Sequence, residues 1–252
     1  MKKEKFSISS LIPSFRGRSY ELEHLDKGDY TPEEYEECLV ELRRVNNYLG
    51  DASALRHSLF PEIERAGLQS FSLIDVGAGS GELLRVVATW ARETERRAFC
   101  VGLEFNARSA RAILEESSGL PEITSVRGDA LSLPFADGRF DYAICSLLTH
   151  HFKDEQVVTT LREMSRVARR RIFVIDLHRH PLAYYLYTTL GRLFLHNRLI
   201  REDGALSILR SFRPDELRRL ASRADLADIR LKRRFPFRLV LSGNKRLVMN
   251  AE

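Results

Sequence analysis

The run Leu73-Ile74-Asp75-Val76-Gly77-Ala78-Gly79-Ser80-Gly81-Glu82 constrains the fold of this chain more than any other stretch. Leu73, Ile74 and Val76 make the short apolar run of a buried parallel strand. Three glycines alternating with small residues follow. From Glu82 the spacing turns helical, with Leu83, Leu84, Val86, Val87 and Trp90 apolar. The segment therefore reads as strand, glycine turn and helix. Such a turn lets a ligand lie against bare backbone and brings unpaired helix N–H groups towards it, which favours an anionic or carboxylate-bearing ligand. In Gly77-x-Gly79-x-Gly81 the third glycine comes one residue earlier than in the G-x-G-x-x-G of dinucleotide folds.

The other elements alternate in the βαβ manner that produces a parallel sheet. Ala98 to Glu104 reads as a second strand. Asn106 caps a helix through Ala107, Ala110, Ile113 and Leu114, which Gly119 ends. Glu122 to Val126 reads as a third strand and Tyr142 to Ser146 as a fourth. Asp154 opens a helix carrying Val157, Val158, Leu161, Met164 and Val167. Ile172 to Ile175 is a fifth strand, Pro214 opens a helix, and Ile229–Lys232 and Phe237–Leu241 are two last strands. Before the glycine turn, Thr31-Pro32-Glu33-Glu34 has the signature of a helix start, followed by Tyr35, Cys38, Leu39, Leu42, Val45 and Leu49, with Gly50 as the stop. A second helix is expected from Ala52 to Ala66. Residues 181–200 form an aromatic-rich helical insertion.

With 252 residues, 44% apolar and 30% charged, the chain can build one packed α/β domain and a smaller region. No apolar signal core follows the basic start, and no run of about 18 apolar residues occurs, so a cytoplasmic location is expected. Cys38, Cys100 and Cys145 lack metal spacing and read as buried thiols. The net charge of +5 is unevenly placed: residues 21–41 hold nine acids against Lys27, and residues 201–252 hold thirteen Lys or Arg against seven acids. A solvated face explains the basic third more simply than a nucleic-acid partner does.

The ordered set of strand ends resembles the class I S-adenosylmethionine-dependent methyltransferases. Asp75, Gly77, Ala78, Gly79 and Gly81 resemble their motif I, which wraps the methionine part of the cofactor. Glu104 ends the second strand 23 residues past Gly81, where a carboxylate accepts from ribose hydroxyls. By this resemblance Phe105 adjoins the cofactor, Asp129 and Ala130 meet the adenine, and Phe140 to Ser146 resemble motif IV, whose end at Cys145 and Ser146 faces the methyl group. The implied fold is α/β: a Rossmann-like, seven-stranded, mostly parallel sheet with helices on both faces and an antiparallel last strand. An N-terminal helical cap over 1–68 precedes a methyltransferase domain over 69–252. The cofactor is S-adenosylmethionine.

The Pro-Pro-Tyr-like motif of nucleic-acid amino-methylating enzymes is missing after the fourth strand. Leu147-Leu148-Thr149-His150-His151-Phe152 stands there instead, which is similar to the small-molecule branch that includes quinone-pathway and polyketide-tailoring enzymes. That similarity implies O-methylation of a small, largely apolar aromatic or polyketide-like hydroxyl compound. Histidine suits removal of a hydroxyl proton near neutral pH, so His150 and His151 are the candidate bases, with a slight preference for His150. Tyr184, Tyr185 and His178 are candidate substrate contacts. Two His at 178 and 180 with Asp176 suggest a metal only weakly, and none is expected. A weak membrane contact through 181–200 is one alternative use of that helix. RNA methylation by the basic third, or cofactor binding without transfer, are the alternative functions.

Overall fold

The computed structural model describes residues 13–31, 33, 34, 37, 38, 41 and 50–245. Seven strands form one sheet: β1 (Ser70–Val76), β2 (Arg97–Glu104), β3 (Ile123–Arg127), β4 (Phe140–Ser146), β5 (Ala168–Leu177), β6 (Leu226–Arg234) and β7 (Arg238–Lys245). Their order is β3-β2-β1-β4-β5-β7-β6. The pairs from β3 to β5 are parallel, and β7 lies antiparallel to both β5 and β6. β1 is central and almost wholly buried, as its apolar run requires.

Nine helices are described: α1 (His24–Lys27), α2 (Asp51–Arg56), α3 (Leu59–Arg65), α4 (Glu82–Glu93), α5 (Ala107–Glu116), α6 (Asp154–Val167), α7 (Pro181–Phe194), α8 (Arg198–Arg210) and α9 (Pro214–Arg223). Leu55 and Ile63 with Leu84, Val87 and Ile113 pack α2 to α5 on one sheet face. Val157, Leu161, Leu217 and Ala221 pack α6 and α9 on the other. Trp90 stacks on Phe60 at 4.0 Å between ring centroids, joining α3 to α4.

Several expectations need correction. The helix expected over 52–66 is two helices, because Ser58 Oγ donates to the carbonyls of Ala54 and Leu55 and closes the first. Gly50 stands just before α2 at φ 88°, where a Cβ would sit 2.9 Å from the Phe235 carbonyl oxygen, and the end of the helix it was expected to stop lies outside the described residues. Thr31 caps as expected: its Oγ accepts the Glu34 N–H, and Glu34 returns the favour to the Thr31 N–H at 3.0 Å. Of that predicted helix Cys38 is described, helical and buried, whereas Tyr35, Leu39, Leu42, Val45 and Leu49 lie outside the described residues. The helical stretch at 181–200 continues past its expected end: Asn197 accepts the Leu199 N–H and starts α8, which runs to Arg210. Strands β5, β6 and β7 extend beyond their apolar runs into charged residues, since ladder pairing and not hydrophobicity sets their ends.

Residues before α2 divide their roles. Asp51 at the start of α2 pairs with the buried Arg238 of β7. Residues 13–31 instead run across the C-terminal ends of β4 and β5. There Arg18 donates to the carbonyls of His150 (3.2 Å) and Phe152 (2.9 Å), and the Ser19 N–H donates to Leu209 O.

Candidate functional site

Neighbouring strands β1 and β4 are where the sheet order reverses, and ligands of open α/β sheets bind outside the strand ends at such a point. The turns after these two strands touch: a Cβ on Gly77 would meet Leu148 at 2.7 Å. Gly77, Gly79 and Gly81 all take positive φ, which only glycine adopts without strain. Gly79 faces open space, with nothing within 4 Å of where its Cβ would stand.

Glu104 at the end of β2 is tied to this turn. Its carboxylate accepts the Gly79 N–H (3.0 Å), the Phe105 N–H (3.0 Å) and the Asn106 N–H (3.3 Å). Beside it the Phe105 ring is 69% exposed, a flat apolar surface at the strand edge. Asp129 is exposed and accepts the Leu131 N–H at 2.9 Å, while Ala130 is buried behind it. Asp75 is buried, and its Oδ1 has no hydrogen-bond partner. Burial, reinforced by the Glu104 charge, pushes its carboxyl up to about 8. Ser146 Oγ, at the end of β4, is likewise buried without a partner. The Cys145 side chain lies in the core, where burial drives its thiol well above the usual range. Only its backbone can serve the edge.

The two adjacent histidines differ in burial, although their ring centroids lie only 4.3 Å apart. A short 3₁₀ turn, Thr149–His151, follows Leu147, which sits at φ 50°. His150 points inward and is buried; its Nδ1 lies 2.7 Å from Asp176 Oδ1. Asp176, the last acid of β5, also accepts from the Thr149 hydroxyl, the His150 N–H (3.1 Å) and the Leu177 N–H (2.7 Å). Burial alone would raise this carboxyl, but His150, Thr149 and Leu177 hold it down at about 2. His151 is partly exposed, its Nδ1 3.5 Å from Asp26 and 3.9 Å from the buried Glu23. The hydrogen bond and charge of His151, with Arg210 beyond, hold Asp26 at about 2, whereas burial raises Glu23.

Arg210 closes the cluster. It donates to Asp26 (2.9 Å), to the Glu21 carbonyl (2.9 Å) and to the carbonyls of His150 (3.3 Å) and His151 (2.8 Å). Donor atoms of Glu23, His150 and His151 lie within 4.8 Å of one another, a grouping that could hold a metal ion. This grouping is distinct from the His178, His180 and Asp176 set read in the sequence, and its Glu23 comes from a segment with no periodic signal.

The other candidates spread out. His178 is buried at the end of β5, its ring 5.3 Å from His180. Burial, with the charges of His180, Arg233, Arg179 and Arg213, pushes it down to about 4. Tyr184 packs edge-on to Phe15 at 5.6 Å, which puts it beside the N-terminal segment; Tyr185 is exposed. Sequence reasoning missed Glu23, Asp26 and Arg210. The acid-rich stretch from residue 21 was their one visible signal. The concave region lined by Ser72, Asp141, Arg169 and Arg170 is at the opposite strand ends, and its Asp141 already accepts from Ser72 and pairs with both arginines.

Residues 73–171 match the family described as "Methyltransferase domain". The chain is 35% identical over 118 residues to the demethylmenaquinone methyltransferase of Roseiflexus sp. (strain RS-1), covering 43% of this chain and 44% of that protein. It is 31% identical over 115 residues to the 2-phytyl-1,4-naphtoquinone methyltransferase of Thermosynechococcus vestitus (strain NIES-2133 / IAM M-273 / BP-1), covering 45% and 48%. The match thus spans less than half the length of these curated relatives. The fold is similar to the crystal structure of a SAM-dependent methyltransferase from Aquifex aeolicus, at 15% identity and a TM-score of 0.53 over 78% of this chain and 95% of that one.

Proposed function

We propose that this chain, whose residues 73–171 match the family described as "Methyltransferase domain", is a class I methyltransferase that transfers the methyl group of S-adenosylmethionine to a small, largely apolar hydroxyarene. The observation that carries the reading is the pairing of an open glycine turn with a buried Asp–His dyad on the adjacent strand ends.

The residues present fit the cofactor. Gly79 leaves backbone open to it, Asp75 Oδ1 and Ser146 Oγ are buried and unpartnered, and Phe105 offers a free face. In this reading Asp75 and the turn Gly77–Gly81 hold the methionine part, Glu104 the ribose, and Phe105, Asp129 and Ala130 the adenine. The bound cofactor supplies a methyl group on a sulfonium. The protein's task is then to align an acceptor and exclude water.

His150 is the base. Asp176 accepts from Nδ1, so the proton resides there and Nε2 keeps its lone pair for the acceptor hydroxyl. Proton removal makes a phenol a far better nucleophile. Both curated relatives described above carry quinone-type compounds in their names, which supports an aromatic acceptor of that kind. The methylated atom in this reading is the hydroxyl oxygen.

Calorimetry with S-adenosylmethionine and its demethylated product tests the cofactor. Incubation with isotope-labelled cofactor and a panel of phenols and quinols, read by NMR, tests the acceptor atom. Tight NAD binding with no binding of either methionine cofactor would overturn the reading, and label on a ring carbon would move the acceptor atom.

A further inference from the structure

We propose that α7 seats this protein on the surface of an anionic lipid bilayer. Among the described residues, eleven large apolar side chains are exposed, and five of them lie on this one helix. Leu182, Leu186, Leu190 and Phe194 follow one another at i, i+4 spacing, with Tyr185 alongside. Their exposures run from 39% to 73%. The opposite face is occupied: Ala183 is buried, Tyr184 meets Phe15, and the Tyr187 hydroxyl donates to the Ile200 carbonyl. Tyr185 also meets Phe15 at 6.2 Å, but Leu182, Leu186, Leu190 and Phe194 stay exposed, and a contiguous apolar stripe of this kind marks a contact surface.

The surroundings specify the partner. His180, which caps α7, lies 5.3 Å from His178 and 5.6 Å from Phe237 by ring centroids. That places the start of the helix beside the β6–β7 turn, whose Phe235 is 90% exposed. Arg213 follows Phe212, which bridges His178, and Arg233 pairs with Leu239 two residues past Phe237, whose carbonyl accepts the His178 N–H, so both stand at the same end. Lys232 and Arg233 are exposed. Asp215 lies 3.7 Å from Arg213 and offsets part of one charge. An apolar stripe with an exposed aromatic tip and a cationic end is the pattern of an interfacial helix on anionic headgroups. No helix of the described residues is long and apolar enough to cross a membrane, so α7 lies in the surface plane.

Because α7 follows directly from β5, the docked face adjoins the strand ends that carry Asp176 and His150. The proposal stands apart from the methyl-transfer reading, since vesicle binding needs neither cofactor nor acceptor.

Sedimentation of the full chain with vesicles of equal parts phosphatidylcholine and phosphatidylglycerol tests it. The protein should pellet at low salt, far less so with phosphatidylcholine alone, and release as salt rises. Leu186→Glu with Leu190→Glu should lower the bound fraction about tenfold. Arg233→Gln should lower affinity about fivefold. Circular dichroism and calorimetry with the demethylated cofactor check that these surface variants remain folded. Absence of pelleting with anionic vesicles overturns the proposal, as does a dimer that Leu186→Glu dissociates without any vesicle binding. Wild-type binding by all variants overturns it too.

Discussion

Asp176 grips His150 twice, through the ring Nδ1 at 2.7 Å and through the backbone N–H at 3.1 Å. One carboxylate thus sets both the tautomer and the position of the imidazole, since ring and backbone cannot turn independently about it. Thr149 and Leu177 donate to the same two oxygens. The carboxylate is saturated and has no reason to take up the proton itself.

Asp176→Asn should therefore lower turnover about a hundredfold at neutral pH while affinity for the demethylated cofactor stays within about twofold. The loss should shrink at high pH, where a phenol ionises unaided. Steady-state kinetics across pH, paired with calorimetry, provide the check; unchanged turnover with an unchanged pH profile would remove the positioning role.

Asp176 also predicts acid sensitivity. Its folded carboxyl sits at about 2, below the unfolded value of about 3.9, so its contribution is fully present above about pH 4 and is lost as pH falls through about 2. The stabilisation is on the order of 2 kcal/mol. Asp26 shifts in the same direction and adds to the slope. Urea titrations from pH 5 to pH 2 should show stability falling for the wild type and a flatter profile for Asp176→Asn.

Gly79 is open to solvent at φ 56°. Gly79→Arg should still fold, at a cost of about 1 kcal/mol for a side chain at positive φ, because nothing stands within 4 Å of the new Cβ, yet abolish cofactor binding by filling the backbone approach. The expected readout is a near-normal circular dichroism spectrum and no calorimetric heat. A variant that binds as the wild type does would exclude this turn from the site.

Asp75 gives a proton-linked signature. Its carboxyl is raised to about 8, so it is largely protonated at neutral pH. A cationic ligand beside it favours the ionised form, and binding should release up to one proton near pH 7. Calorimetry in buffers of different ionisation enthalpy measures that number directly. Asp75→Asn should remove the release; a proton count of zero in the wild type would show that the ligand's charge lies elsewhere.

The strand-end residues were legible in the sequence because each chemical position is locally encoded: glycines after an apolar run, an acid at a strand's end. The caps at Asn106 and Thr31 and the core faces follow from the same local rules, whereas the strand order is set by pairing between distant segments. Glu23, Asp26 and Arg210 were not legible. Their role comes from a segment without periodicity laid over residues more than a hundred positions away. Pairing of that range leaves no trace in spacing. The break between α2 and α3 was hidden for a different reason, a single serine hydroxyl competing for helix carbonyls in an otherwise continuous pattern.

The position of β7 between β5 and β6 sets the order in which this molecule can be completed during synthesis. Strand β6 leaves the ribosome before β7, yet it has no neighbour in the sheet until β7 arrives. Until then β5 keeps an open edge with unpaired backbone groups, a template for pairing with another chain. Arg238, the partner of Asp51, also comes late, so α2 waits unclamped while nearly 190 residues are made. A chain halted before residue 238 would thus lose two strands and the α2 clamp together, and expose its aggregation-prone edge to every other nascent copy.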